Sequence, residues 1–379
     1  MGLGGLVIAL AVVASACGST AEPAGSGGGG GDCKGKIGFF GALSGSNASV
    51  VLPSRDGAKL ALTQFLAEND DCTIEMQEFD TEGDPAKATP VANKIATDTE
   101  FVGVIGGAFS GETRATKATY QEAGVPMISA SATATDLTSE EPAPVFHRIV
   151  GYDDLQAPAV ALYLRDLAKA KKVFVVDDST TYGGPLGAKV KSELGDLVVD
   201  SDKVQEKQTE FSATVSKIKS AAPDTVLYVG YAAEAGPFLK QLRSSGYKGT
   251  FMGTDGLYGV DFPKAAGEQA EGAVISCPCL PAEEAEGTFA EDFEKEYGTT
   301  PGGYAAEGFD AMNIFLEGLK DGNTAREDLQ KFVTDYDAQG ITKNIKFDEQ
   351  GNVEEDNVVY WTYKIEGGAL VADQQIPKE

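Results

Sequence analysis

Short apolar runs alternate with longer amphipathic stretches over most of this chain. The apolar runs have the length and composition of strands buried in a sheet; they are 36–43, 73–80, 101–108, 126–131, 172–178, 225–231, 250–256 and 272–278. Between them lie stretches of helical periodicity. Two of the apolar helix faces are formed by Ala58, Leu62, Phe65 and Leu66, and by Met312, Phe315, Leu316 and Leu319.

This alternation predicts βαβ units, in which parallel strands are joined by helices that cover both faces of a sheet. The last part of the chain differs, because 345–353 and 357–365 have the pattern of two strands joined by a turn at 349–351. The predicted strands are too many for a single doubly wound sheet. The sequence therefore predicts an α/β protein with two doubly wound parallel-sheet lobes.

The first 32 residues do not share this pattern. Residues 2–16 are apolar, uncharged and shorter than the roughly 20 residues that span a bilayer, as in a secretory signal peptide. The small residues before Cys17 resemble a lipobox, although Ala14 stands where lipoboxes usually have leucine and no Lys or Arg precedes the apolar run. We expect a signal peptide at 1–16, a lipidated Cys17 and a Gly-rich tether at 17–32; an ordinary cleaved signal is the alternative.

Composition narrows the choice of partners. The 379 residues include 58 acidic and 31 basic side chains, for a formal net charge of −27. A surface so acidic repels phosphate backbones, so nucleic acid is not an expected partner.

Four cysteines follow Cys17, an even number that suits an oxidising compartment. Cys33 and Cys72 each stand just before a predicted strand. If those strands are neighbours, the two cysteines lie side by side, which favours a Cys33–Cys72 disulfide and leaves Cys277 with Cys279. Free thiols or a metal site are the alternatives for the second pair, but no histidine stands near them to complete a zinc site.

Small hydroxyl residues follow several of the predicted strands. Open α/β sheets bind ligands at the carboxyl ends of their strands. Ser110 stands there, at the start of a predicted helix whose N–H groups favour an anion, although it could be a plain N-cap. The segment 129–133 supplies a second cluster of donors after the next strand.

Signals of catalysis are weak. The only histidine, His147, lies in an apolar run, where a structural role is more common, and none of the common hydrolase, zinc-protease or nucleotide-binding motifs is present. We therefore expect no enzyme, metal or cofactor. A secreted hydrolase that uses Ser110 remains a remote alternative, because it would need a base within hydrogen-bond distance.

From residue 36 onward the chain resembles the bacterial leucine/isoleucine/valine-binding proteins, the substrate-binding components of ABC importers. The resemblance rests on the order and spacing of seven motifs: GALSG, DPAKATPVANKI, GAFSGETRAT, GVPMISASATATDLT, VVDDSTTYGGPLG, FLKQLRSSGYKGTFMGTDG and YAAEGFDAMNIF. It implies a type I periplasmic-binding-protein fold, in which three crossovers join two lobes that close over a ligand. The implied lobes are 33–151 plus 280–354 and 152–279 plus 355–379.

The resemblance also implies a role for each matching residue. Ser110 and Thr133 match the positions that bind the α-carboxylate of an amino acid. Ser131 matches the position whose backbone carbonyl accepts a hydrogen bond from the α-ammonium. On the other lobe, Tyr182 and Tyr231 match tyrosines that close over the ligand, and Asp255 matches an acid facing the ammonium. A turn aspartate before Gly256 is the alternative for Asp255.

Two further positions bear on the ligand's side chain. Tyr304 matches an aromatic position near the side-chain pocket. Val50 stands where the family carries a bulky aromatic residue, so the preference for a leucine-like side chain is an open question. The expected protein is a monomeric, lipid-anchored, extracytoplasmic binding protein for an amino acid, branched-chain aliphatic ones first, that delivers it to an importer permease. A same-fold sensor of a small amide, urea or carboxylic acid is the alternative.

Overall fold

The computed structural model of the protein describes residues 1–2, 33–139 and 143–378. The expected signal-peptide core, Cys17 and the Gly-rich tether lie outside the described residues. Within the described ranges, no helix combines the length and the apolar character needed to cross a membrane.

Five parallel strands form the first sheet: β1 Lys34–Gly41, β2 Thr73–Asp80, β3 Phe101–Ile105, β4 Met127–Ser129 and β5 Phe146–Arg148. Their order in the sheet is β2-β1-β3-β4-β5. β3 is buried along its whole length, which explains its continuous apolar sequence. The helices that connect them are α1 Ala48–Glu68, α2 Pro85–Thr97, α3 Ser110–Ala123 and α4 Asp136–Ser139. We call this sheet and the elements packed on it the first lobe.

The second sheet forms the second lobe with its helices and has seven strands: β6 Val173–Asp177, β7 Val198–Lys203, β8 Thr225–Val229, β9 Thr250–Gly253, β10 Val274–Cys277, β13 Tyr360–Glu366 and β14 Ala369–Ile376. Their order in the sheet is β14-β13-β10-β9-β8-β6-β7. β6 to β10 run parallel, whereas β13 and β14 are added antiparallel at one edge. The helices are α5 Asp153–Leu162, α6 Gly183–Leu194, α7 Ser212–Ala221, α8 Ala232–Ser244 and α9 Asp261–Ala266.

The segment between β10 and β13 returns to the first lobe. It contains α10 Phe289–Tyr297, α11 Ala305–Lys320, α12 Arg326–Thr334 and a small antiparallel pair, β11 Asp337–Gln339 and β12 Asn344–Lys346. α11 packs so closely on α1 that a side chain at Gly57 would overlap the carbonyl oxygen of Ala305, and a side chain at Gly308 would overlap the carbonyl oxygen of Ser54. The chain thus passes between the lobes three times, after β5, after β10 and after β12.

The predicted fold of two doubly wound lobes is confirmed. The predicted hairpin at 349–351 is only partly right: the Gly351 N–H donates to the Asp348 carbonyl across a turn, but this turn closes an isolated bridge between Phe347 and Val353. The second predicted strand, β13, belongs to the other lobe. The sequence also missed β5, β7, β11 and β14.

Two disulfides are present in the described chain. Cys33 and Cys72 are joined beside the amino ends of β1 and β2, which are parallel neighbours with Lys34 opposite Thr73. Cys277 and Cys279 are joined at the second passage between the lobes, and both are fully buried.

Candidate functional site

A narrow cavity lies between the carboxyl ends of the two sheets. All eight residues that the resemblance assigns to the ligand line it: Val50, Ser110, Ser131, Thr133, Tyr182, Tyr231, Asp255 and Tyr304. The remaining lining residues, which the sequence did not single out, are Ala108, Phe109 and Gly256. The structure therefore brings together residues that are separated by up to about two thirds of the chain.

The first-lobe wall is built from two loops that bind each other. The Ala134 N–H donates to Ser110 Oγ at 3.2 Å, and the Ser131 hydroxyl donates to the Ala108 carbonyl at 2.8 Å. Thr133 lies between these contacts, and its buried Oγ1 makes no well-formed hydrogen bond among the described residues, although it lies close to the Asp153 carboxylate. Because Ser110 is also the first residue of α3, this wall offers hydroxyl groups beside a helix N-terminus, an arrangement suited to a carboxylate.

The second-lobe wall carries a buried acidic side chain. Asp255 opens a short 3₁₀ turn just after β9 and is buried. Its Oδ1 accepts hydrogen bonds from the Gln156 amide and, at 2.6 Å, from the Tyr182 hydroxyl. Its Oδ2 accepts one from the Tyr304 hydroxyl at 2.9 Å. Burial raises the pKa of Asp255, while these three donors act against that rise by favouring the carboxylate.

Tyr304 joins the two lobes at this point. It stands directly before α11 of the first lobe, yet its hydroxyl reaches Asp255 of the second. Its φ is 63°, a left-handed conformation that is uncommon outside glycine and costs of order 1 kcal/mol or more. Such a conformation is retained where the surrounding structure fixes the residue, which here orients the ring toward the cavity.

Aromatic rings and Val50 form the rest of the enclosure. Tyr231 lies between Tyr182, at 5.3 Å between ring centroids, and Phe109 of the first lobe, at 4.9 Å and edge-on. Val50, in the first turn of α1, is also buried. Together with Ala108 and Phe109 it gives the cavity an apolar wall of its own.

Two acids lie close to one another behind the second-lobe wall. Asp153 is fully buried at the start of α5, and neither of its oxygens makes a well-formed hydrogen bond within the described chain. Burial and the charge of Asp255 raise its pKa to about 7, while the nearby Thr133 hydroxyl and Arg148 favour the charged form. Sequence reasoning missed both Asp153 and Gln156, although both belong to the segment that follows β5.

His147 takes no part in the cavity. It lies within β5, its ring packs edge-on against Phe347, and burial lowers its pKa to about 4. No histidine lines the cavity, so Ser110 has no imidazole base beside it. Across 33–139 and 143–378, no cluster of three or more His, Cys, Asp or Glu side chains could hold a metal ion.

Known proteins match almost the whole described chain. A family model described as "Periplasmic binding protein" matches residues 34–369. The Leu/Ile/Val-binding protein of Citrobacter freundii is 33% identical over 248 residues, which cover 64% of this chain and 67% of that relative. The leucine-, isoleucine-, valine-, threonine- and alanine-binding protein of Pseudomonas aeruginosa is 28% identical over 338 residues, which cover 87% of this chain and 90% of that relative.

A solved structure extends this similarity to the fold. The branched-chain amino acid transporter substrate-binding protein of Streptococcus pneumoniae, in complex with isoleucine, superposes with a TM-score of 0.84 at 25% identity. The match covers 90% of this chain and 99% of that one.

Proposed function

The chain belongs to the periplasmic binding protein family, and we propose that it binds a branched-chain aliphatic amino acid between its lobes and delivers it to an ABC importer. The relatives named above are binding proteins, not enzymes; both names specify leucine, isoleucine and valine, and that of the Pseudomonas aeruginosa protein adds threonine and alanine. This chain shares their architecture along nearly its whole length.

One observation carries the proposal: one wall of the cavity presents hydrogen-bond donors and the other presents a carboxylate. Ser110 and the Thr133 hydroxyl present donors on the first lobe, and Asp255 presents a buried carboxylate on the second. A zwitterionic amino acid supplies a carboxylate for the first wall and an ammonium for the second. Both of its charges would then be paired where water is excluded, the condition under which buried charges are tolerated.

Because the proposed ligand contacts are shared between the two lobes, a bound ligand would favour closure of the lobes. A ligand that binds first to Ser110, Ser131 and Thr133 gains its contacts with Tyr182, Tyr231 and Asp255 only when the lobes close. Those added contacts give the closed form a higher affinity, which is what shifts the population toward it. We propose that the permease recognises this closed form.

The side chain of the ligand would rest against the apolar wall. Val50, Ala108 and Phe109 offer no hydrogen-bonding side chain, so they suit an aliphatic group.

A calorimetric screen tests this function. The unmutated protein would be titrated with the twenty amino acids, with the deaminated acids of the branched ones, and with small amides and urea. Tight binding confined to aliphatic amino acids is expected. Preferential binding of an amide, urea or plain carboxylic acid would instead support the same-fold sensor, and turnover of ester substrates that is lost in Ser110→Ala would support a hydrolase.

We also propose that the protein is exported, monomeric and anchored by a lipid on Cys17, with lobes divided at 33–151 plus 280–354 and 152–279 plus 355–379. Labelling with radioactive palmitate in a bacterial host, with Cys17→Ala as control, tests the anchor. Failure of the unmutated protein to take up label would refute it. Light scattering on the chain from residue 33 onward tests the monomer.

A further inference from the structure

Arg148, the last residue of β5, is fully buried and binds three separate segments of the chain. Its Nη1 donates to the carbonyl oxygens of Ala132 at 3.2 Å and Ala134 at 2.8 Å. Its Nη2 donates to Thr138 Oγ1 at 2.9 Å, and its Nε to Asn352 Oδ1 at 2.7 Å. Four of its five N–H groups are thereby used, each in a different direction.

The first two of these acceptors lie on either side of Thr133. The guanidinium therefore holds the peptide groups before and after the residue whose hydroxyl lines the cavity. Arg148 does not line the cavity itself. Its influence on a ligand would be exerted through the orientation of Thr133.

The remaining contacts reach the third passage between the lobes. The Arg148 N–H donates to the Gly351 carbonyl at 2.9 Å, and the Val353 N–H donates to the Arg148 carbonyl at 3.1 Å. Asn352 lies between them and is fixed in turn by a hydrogen bond that its Nδ2 donates to Asp348 Oδ2 at 3.1 Å. Backbone and side chain of Arg148 thus join the Thr133 loop to the segment that leads from the first lobe into the second.

The guanidinium is held by dipoles instead of an ion pair. Among the described residues, no carboxylate lies within ion-pair distance of Arg148; burial lowers its pKa to about 10, while the charge of the nearby buried Asp153 acts in the opposite direction. A buried cation is costly unless its donors are satisfied with good geometry. A lysine would keep the charge but could not reach four acceptors in a planar fork.

We propose that Arg148 is a positioning residue for ligand binding, which fixes Thr133 through the Ala132 and Ala134 carbonyls and couples that loop to the third crossover. The inference rests on the proposed function and assigns a binding role to a side chain that never touches the ligand.

Arg326 provides a matched control. Its guanidinium is also a fork on backbone carbonyls, those of Ile95, Ala96, Asp98, Phe101 and Ala123, but it lies at the amino end of β3, away from the cavity. Arg148→Lys and Arg326→Lys make the same chemical change at two ends of one sheet. Each variant would be measured for its ligand-free melting temperature and for its Kd toward leucine, isoleucine and valine.

We expect Arg148→Lys to bind about tenfold more weakly or worse, since it loses charge-assisted hydrogen bonds that orient a binding group. Arg326→Lys should keep its Kd within about twofold whatever its loss of melting temperature, because none of the carbonyl groups that Arg326 binds flanks a residue of the cavity. In a Thr133→Ala background, Arg148→Lys should add much less than tenfold, because residues that act through one another are not additive.

Multiplicative losses in that double variant, or equal changes in Kd for both arginine variants, would overturn the proposal. If Arg148→Lys does not fold, Thr138→Val removes a single acceptor outside the cavity and should weaken binding about threefold, the value of one modest hydrogen bond; an unchanged Kd would overturn the proposal. If the unmutated protein binds none of the three amino acids, the proposed function fails first. Binding that is indifferent to Arg148 refutes this inference alone.

Discussion

Ser49 and Asp261 hydrogen-bond each other twice across the cleft. The Ser49 N–H donates to Asp261 Oδ2 at 3.0 Å, and the Asp261 N–H donates to Ser49 Oγ at 3.1 Å. Each residue lies in the first turn of a helix, α1 in the first lobe and α9 in the second, so each side chain satisfies an N–H group that the other helix leaves unpaired. Nearby, Asn47 Oδ1 accepts from the Ala233 N–H at 3.3 Å.

Because this pair joins the two lobes, it stabilises only the closed form. Ser49→Ala removes one bond and leaves the other, at an expected loss of about 1 kcal/mol, or roughly fivefold in affinity. The loss should appear as faster ligand dissociation in stopped-flow fluorescence, with little change in the association rate. Ser220→Ala, on the exposed face of α7, is the control. A dissociation rate equal in both variants would mean that the pair contributes nothing to closure.

The two disulfides should differ in their effect on stability. Cys33 and Cys72 are 39 residues apart, and closing a loop of that size contributes about 4 kcal/mol in the chain-entropy model. Cys277 and Cys279 are 2 residues apart, so their bond constrains the unfolded chain much less. Urea unfolding of the Cys33→Ala/Cys72→Ala variant should give a larger loss of unfolding free energy than Cys277→Ala/Cys279→Ala. The reverse order would show that packing around the second pair outweighs loop closure.

Glu112 should make stability depend on pH. This acid lies fully buried in α3, where its carboxylate accepts hydrogen bonds from the Thr81 hydroxyl and, at 3.4 Å, from the Phe109 N–H. Burial raises its pKa from 4.5 to about 7, although both donors act in the opposite direction. The folded state therefore binds the proton more tightly than the unfolded chain does.

Its stabilising contribution is thus complete below about pH 4.5 and is lost as the pH rises through about 7. Glu112→Gln imitates the protonated form, so its unfolding free energy relative to the unmutated protein should rise over that interval by on the order of 3 kcal/mol. Urea unfolding at a series of pH values measures the difference. Glu122→Gln, at an exposed acid on the same helix, is the control measured over the same pH series. If the difference in unfolding free energy for Glu112→Gln did not change with pH, the raised pKa of Glu112 would be contradicted.

The parts of the fold that sequence reasoning found share a physical cause. β3 and β6 are central parallel strands buried on both faces, so their sequences, FVGVI and VFVVD, are apolar almost throughout. β7 and β14 are edge strands with mixed burial, and VVDSDK and ALVADQQI carry no such signal. Burial alone does not decide detection, because β5 is fully buried but has only three residues, too few to show a pattern, and it was missed.

The residues in and around the cavity also fall into two groups, those that the sequence predicted and those that it did not. Residues such as Ser131 and Thr133 stand directly after a strand, where the geometry of parallel sheets predicts a ligand site. Arg148 and Asp153 lie around the first passage between the lobes. Their proximity to Thr133 depends on how the chain folds back there, and no local pattern encodes that path. A buried arginine at a strand end also resembles an ordinary surface residue until its acceptors are known.

Asp255 allows a direct test of the ammonium half of the site. Its two oxygens already accept three hydrogen bonds, from Gln156, Tyr182 and Tyr304. An asparagine can preserve much of this network, because its Oδ1 still accepts from Gln156 and Tyr182 and the Tyr304 hydroxyl can turn to accept from its Nδ2. Asp255→Asn therefore removes the charge while largely keeping the shape of the cavity.

We expect Asp255→Asn to weaken binding of an aliphatic amino acid by about tenfold or more, since a hydrogen bond to a charged group contributes about 1.5–3 kcal/mol and about 1.4 kcal/mol is one decade. The deaminated analogue carries only the carboxylate, so it should lose much less. Calorimetry of both ligands with both proteins forms a double cycle in which changes in cavity shape cancel. Equal losses for the two ligands would mean that Asp255 only shapes the turn before Gly256. The site would then bind a carboxylate without recognising an ammonium, and a plain acid would replace the amino acid as the ligand to be sought.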